Sequence, residues 1–139
     1  MNVKELLDMA GLNIEYDEWG FGDDNLLDLV LKEKKKATSS LYLLYEKEGE
    51  ELPSRGNYSV LLDNNDNARC LIVTTNVIVL PFNEITADLA KLEGEGDLSL
   101  KYWQDVHTKF FQEELDEYNM KFDNSMKVVF EEFELIVKA

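Results

Sequence analysis

Four of the chain's lysines fall within the five positions Lys32 to Lys36, with Glu33 among them, and Thr38, Ser39 and Ser40 follow at once. A lysine crowded by other lysines has its charged form disfavoured, which makes its free amine a better base near neutral pH. A hydroxyl three positions on could be activated by that base, or could orient a water. Lys35 and Thr38 stand at that spacing. The plainer alternative is a helix C-terminus, where lysines complement the macrodipole. That alternative leaves the abrupt change to small hydroxyl residues unexplained.

A second candidate lies far along the chain. The stretch "KLEGEGDLSLKYWQDVH", residues 91–107, sets Glu93, Glu95 and Asp97 around Gly94 and Gly96, ahead of Tyr102, Trp103 and the single histidine, His107. Glycine loosens a loop at an entropic cost, so a carboxyl there could swing against a basic crevice and carry a proton to a leaving group. Glu93 is the candidate acid, with Glu95 beside it. The competing reading makes the carboxylates a solvated loop favouring a helix N-terminus. It makes Trp103, Phe110 and Phe111 core residues at helical spacing, and His107 a packing histidine.

Other chemistry is excluded more firmly. "DNNDNA" from Asp63 imitates a calcium loop, but Ala68 replaces the glycine of position six and Thr74 the glutamate of position twelve, so it reads as a hairpin turn. One histidine and one cysteine do not make a thiolate-imidazole zinc site. Cys70 lies in an apolar run and reads as a small core residue. No G-x-S-x-G elbow and no phosphate loop occurs, and Glu95 between its two glycines would repel a phosphate.

These groups need elements to hold them. Val3, Leu6, Leu7 and Ala10 predict a helix ending at Gly11. "EYDEWGFGDD" reads as a loop, and Asp23 or Asp24 then caps a helix "NLLDLVLKEKK". "SSLYLLYEKEG" leans to helix. "GNYSVLLD" and "ARCLIVTTNVIVL" are strands joined as a hairpin by "NNDN". "NEITADLAKLE" is a short helix, and Asp97 caps a longer one from Leu98 to Tyr118 that buries Leu100, Trp103, Val106, Phe110, Phe111 and Leu115. "MKVVFEEFELIVK" is a closing strand. Interspersed helices and strands predict an α+β fold, with about four to six strands curled into a small open barrel and helices over its mouth.

Length and charge bound the rest. The 139 residues suit a single domain, 1–139, with 1–22 as a helix and loop extension. A net charge of −15 repels phosphate backbones and anionic membranes on average, so extended duplex DNA and a membrane are not expected partners. Lys32–Lys36 carry a local +3 against that field. A lone cysteine, an N-terminus unlike a secretory signal, and no apolar run of membrane-spanning length lead to the expectation of a soluble cytoplasmic protein. No cofactor is called for by any motif.

The segments "EWGFGDD", "LKEKKKATSSLYLLYEKEGEELPSRGNYSVLLD", "TTNVIVLPFNEIT", "EGEGDLSLKYWQDVHTKFFQEE" and "VVFEEFELI" resemble the longer bacterial ASCH-domain proteins (activating signal cointegrator homology) from about Glu18 to Val137. The resemblance implies a PUA-like small β-barrel of about five to six strands with flanking helices, and a cleft for RNA or a nucleoside. A small bacterial branch of the superfamily hydrolyses N(4)-acetylcytidine, and its lysine-x-x-threonine pair and glutamate resemble Lys35, Thr38 and Glu93. Other members are ribonucleases. Two departures stand out: Glu33 replaces the glycine that usually precedes the lysine motif, and Phe130-Glu131-Glu132-Phe133 replaces cysteine-glutamate-arginine-phenylalanine.

The leading expectation is a binding module for RNA or a modified nucleoside. Lys34, Lys35 and Lys36 would meet phosphate or sugar, Trp19 or Tyr102 would stack on a base, and Phe21, Ser40, Glu95 and His107 complete the expected ligand-binding set. The alternative is an amidohydrolase acting on acylated cytidine, with Lys35 as base, Thr38 as nucleophile and Glu93 as acid. A ribonuclease and a protein-interaction domain follow. The oligomeric state is not legible.

Overall fold

A computed structural model describes residues 1–139, and its centre is one five-stranded sheet in the order β1-β3-β4-β5-β2. The frame is the antiparallel pair β4 (Ala68–Pro81) and β5 (Lys127–Lys138), both rich in β-branched residues. Their register runs from Cys70↔Lys138 to Pro81↔Lys127 and slips at Leu71/Ile72 and Thr74/Asn76. Such bulges bend strands and add twist, and the sheet curls into a half-barrel. This is the α+β, PUA-like architecture expected from the sequence, with five strands.

The expected hairpin joins β3 (Tyr58–Leu62) to β4. Its turn is held by Asp63, whose Oδ1 accepts from the N–H groups of Asn65 and Asn67, both at 2.9 Å. Two stretches fold otherwise than expected. "EYDEWGFGDD" contains a strand, β1 (Asp17–Trp19), parallel to β3 and too short to show alternation. "SSLYLLYEKEG" divides into β2 (Ala37–Leu41) and α3 (Tyr42–Glu48), because β2 pairs along β5 from Ala37↔Glu132 to Leu41↔Val128. Tertiary pairing overrides a local helical preference there.

The remaining helices are α1 (Val3–Ala10), α2 (Asp24–Leu31), α4 (Ala87–Leu92) and α5 (Leu100–Asp116), with a 3-10 turn at Phe82–Glu84. Asp23 caps α2, which stops at Leu31, so the lysine run lies beyond the helix rather than inside it. Ser99, not Asp97, caps α5; the Asp97 carboxylate accepts from the Ser99 N–H at 2.9 Å. Phe110, expected in the core, is 48% exposed, because the buried stripe of α5 is Trp103, His107, Phe111 and Leu115.

Three apolar clusters hold these layers. Trp103, Phe111 and Leu115 of α5 pack with Phe82, Ala37, Leu41 and Phe130. Leu27 and Val30 of α2 meet Leu61, Cys70, Ile72 and Phe133, and Leu6 of α1 meets Val60 and Leu71. Fully burying a side chain such as Phe111 stabilises by about 1.5–3 kcal/mol. No helix is long and apolar enough to cross a membrane.

Candidate functional site

The loop after α2 and the loop after α4 meet face to face. The Lys36 N–H donates to the Leu92 carbonyl at 2.7 Å, and Gly94 is buried against the backbone of Lys34 and Lys35. Gly94 has φ +70°, and a Cβ there would overlap the Lys34 carbonyl. The glycine therefore serves close approach and a left-handed turn, not the mobility expected from the sequence. Gly96 does similar work: its bare face receives the Tyr102 ring.

This docking joins two distant side chains. Lys35 is 2% exposed and Glu93 1%, and the Lys35 ammonium donates to Glu93 Oε1 at 3.1 Å and to Glu95 Oε2 at 2.8 Å. The other Glu93 oxygen accepts from the Ser39 hydroxyl at 2.5 Å and from the Trp103 indole N–H. His107 completes the group. Its Nδ1 donates to the Trp103 carbonyl at 2.8 Å, its Nε2 lies 3.4 Å from Glu93 Oε1, and its ring stacks on the Trp103 indole at 4.4 Å. Phe21 lays its ring over the Lys35 ammonium at 5.5 Å.

The electrostatics follow from these contacts. Burial alone would push the Glu93 carboxyl up, but Lys35, His107 and Ser39 together hold it down at about 2. A carboxyl in that state has no proton to deliver at neutral pH. Glu93 is a fixed anion, and its expected role as a swinging acid on a loose loop does not survive. Burial disfavours the charged His107 ring, yet the Glu93 carboxylate outweighs it and raises the imidazole above its ordinary value. Lys35 is surrounded by carboxylates, not crowded by Lys34 and Lys36, which are both exposed. The sequence-based picture of a lysine activated by neighbouring lysines is corrected accordingly.

Glu93, Glu95 and His107 bring ligand atoms within 4.8 Å of one another, a spacing that suits a metal ion. The Lys35 ammonium already bonds both carboxylates there, so a metal ion would have to displace it.

Beside this network lies a cleft of about 1060 Å³. Trp19, Thr38, Ser40, Tyr45, Tyr58 and Glu131 supply its aromatic faces and polar groups. Exposed Glu15, Asp17, Glu18, Glu50 and Glu51 also line it, and no lysine or arginine does. Strand alternation places Thr38 and Ser40 on the face of β2 opposite to Ala37, Ser39 and Leu41. Ser39 is the member of the buried network that also borders the cleft.

The sequence-derived candidates thus separate into groups. Lys35, Glu93, Glu95 and His107 converge, with Phe21 over the ammonium. Thr38, Ser40 and Trp19 belong to the cleft. Lys34 and Lys36 are exposed and line no part of it, and Tyr102 covers Gly96. Sequence reasoning missed Ser39 as the hydroxyl on Glu93, and missed Tyr45 and Glu131 in the cleft. Recognising β2 as a strand would have separated Ser39 from Thr38 by alternation alone.

A family model for the ASCH domain matches residues 17–137. A crystal structure of a protein from Enterococcus faecalis V583, described under the family designation DUF984, is 34% identical with a TM-score of 0.85, over 96% of this chain and 84% of that one. The crystal structure of an ASCH domain from Lactobacillus crispatus JV V101 is 28% identical with a TM-score of 0.86, over 96% of this chain and 92% of that one. No protein among those with curated descriptions matches the chain.

Proposed function

The chain belongs to the ASCH domain family, and from that membership we propose that it binds a nucleoside, or a single unpaired base of an RNA, in the cleft beside β2, without using the phosphate backbone. The observation that carries this reading is the cleft lining: aromatic rings and hydroxyls for a flat polar ligand, six carboxyl groups, and no lysine or arginine. Bases stack on aromatic side chains whatever their sequence, and Trp19, Tyr45 and Tyr58 offer such faces. A phosphodiester brought among Glu15, Asp17, Glu18, Glu50 and Glu51 meets like charge. Lys35 is already neutralised by Glu93 and Glu95, so it offers no charge to a phosphate.

Calorimetric titration of the protein with nucleosides, the matching 5′-monophosphates and short RNA oligonucleotides tests the proposal. Nucleosides should bind, monophosphates at least tenfold more weakly, and affinity should change little between low and moderate salt. Tighter binding of oligonucleotides with a steep salt dependence would sink it.

The amidohydrolase reading takes second place. It asks Lys35, Thr38 and Glu93 to act on one bond, whereas Lys35 and Glu93 hold each other and Thr38 turns to the other face of β2. Incubation with N(4)-acetylcytidine followed by chromatography tests that reading directly, with cytidine as the product to look for.

A further inference from the structure

We propose, resting on the cleft reading above, that Glu131 is the residue that selects the ligand, accepting hydrogen bonds from two adjacent N–H groups on the edge of a flat heterocycle. The ligand class is then a base with a paired-donor edge of the guanine type.

Glu131 lies on β5, and its side chain reaches the cleft. Its Oε2 accepts from the Thr74 hydroxyl at 2.6 Å, and Thr74 is 1% exposed, so the carboxyl is fixed from below by a buried partner. A carboxylate oxygen carries more than one lone pair, so both oxygens stay open to a ligand. Two parallel N–H donors match two carboxylate oxygens in the same bidentate way that a guanidinium does. Across the strand pair, Thr38 stands in register with Glu131, and both line the cleft. Its hydroxyl can donate to a carbonyl next to the donor edge, which is the arrangement guanine presents.

The carboxyl is also costly as it stands. Burial pushes it up, the Thr74 hydrogen bond only partly opposes this, and Asp17 pushes it up further. No lysine or arginine lines the cleft to compensate it. Groups held in such a state inside a cleft are functional candidates, and N–H donors from a ligand supply what the protein leaves out. An anionic ligand would worsen the repulsion, whereas an uncharged donor edge relieves it. Trp19 and Tyr45 line the same cleft as stacking faces for the ring.

The test is equilibrium binding of guanosine, inosine and 1-methylguanosine to the wild-type protein and to Glu131→Gln. Guanosine should bind the wild type at least tenfold tighter than either analogue, because inosine lacks the amino donor and 1-methylguanosine lacks the ring N–H. Glu131→Gln, which keeps an acceptor for Thr74, should bring the three affinities within about threefold of one another. The wild-type comparison stands even if the variant is poorly folded. Equal binding of all three by the wild type, or discrimination that persists in Glu131→Gln, overturns the assignment of Glu131 and leaves the cleft reading intact. Failure of every nucleoside to bind overturns both.

Discussion

Lys35 is committed to Glu93 and Glu95, and the whole network depends on that commitment. Removing one partner of a buried ion pair costs about 3–5 kcal/mol, because the other charge is left uncompensated. Lys35→Met should therefore lower stability by about that much in urea titration, because it strips buried Glu93 of its ammonium. Combining it with Glu93→Gln should recover part of the loss, since the double variant leaves no charge at the Lys35–Glu93 pair. Strict additivity would show that the pair is not coupled. Glu33 poses a different residue-scale question. It sits just beyond α2 with φ +59°, a left-handed conformation that costs a side chain about 1–2 kcal/mol. This is the position where the family resemblance expects glycine, and the geometry supplies the reason. Glu33→Gly should stabilise the protein by about 0.5–1 kcal/mol, the strain relieved less the entropy gained by the unfolded chain. An unchanged or lower denaturation midpoint would contradict this.

At the scale of elements, the junction between the α2–β2 and α4–α5 loops decides whether the site exists. Gly94→Ala should cost clearly more than Gly22→Ala. Both glycines have φ near +70°, but Gly22 has open space around it while Gly94 faces the Lys34 carbonyl. Equal losses in thermal melts would mean that only backbone conformation matters. The same junction shows where the sequence was readable. β4 and β5 announce themselves through runs of β-branched residues, and Asp63–Asn67 through turn chemistry, so the sheet's frame was legible. β1 has three residues and owes its existence to β3. β2 owes its own to β5, and without β2 the faces of Thr38 and Ser39 could not be assigned. The pairing of Lys35 with Glu93 came from resemblance and spacing carries no trace of it. Close packing of Gly94 on Lys34 then appeared in the sequence only as looseness, because a glycine needed for contact and one needed for motion look alike.

For the molecule as a whole, charge sets the working range. His107 has a raised folded-state value, so its contribution is complete below about 6.5 and is lost as pH climbs through that raised value. Glu114, pushed up to about 7 by burial and by Glu48 and Glu117, acts with the same sign, its contribution present below about 4.5 and lost as pH rises through about 7. Glu93 acts oppositely: its contribution is present above about 4.5 and is lost as pH falls through about 2. A net charge of −15 adds self-repulsion on the alkaline side. The melting temperature should accordingly peak on the acidic side of neutrality and fall as pH rises from about 6 through the Glu114 and His107 titrations. A flat or rising scan over that interval would refute it. Added salt should restore only part of the alkaline loss, because the contact of Glu93 with His107 is buried and poorly screened. The stacking of His107 on Trp103 gives this titration an optical handle. The chain holds two indoles: one lies against the imidazole and the other, Trp19, lines the cleft. With Trp19→Phe the remaining fluorescence should dim as the imidazole takes up its proton, and with Trp103→Phe it should respond to ligand instead. Each indole thus gives its own optical readout, Trp103 of the imidazole's proton and Trp19 of the proposed cleft ligand.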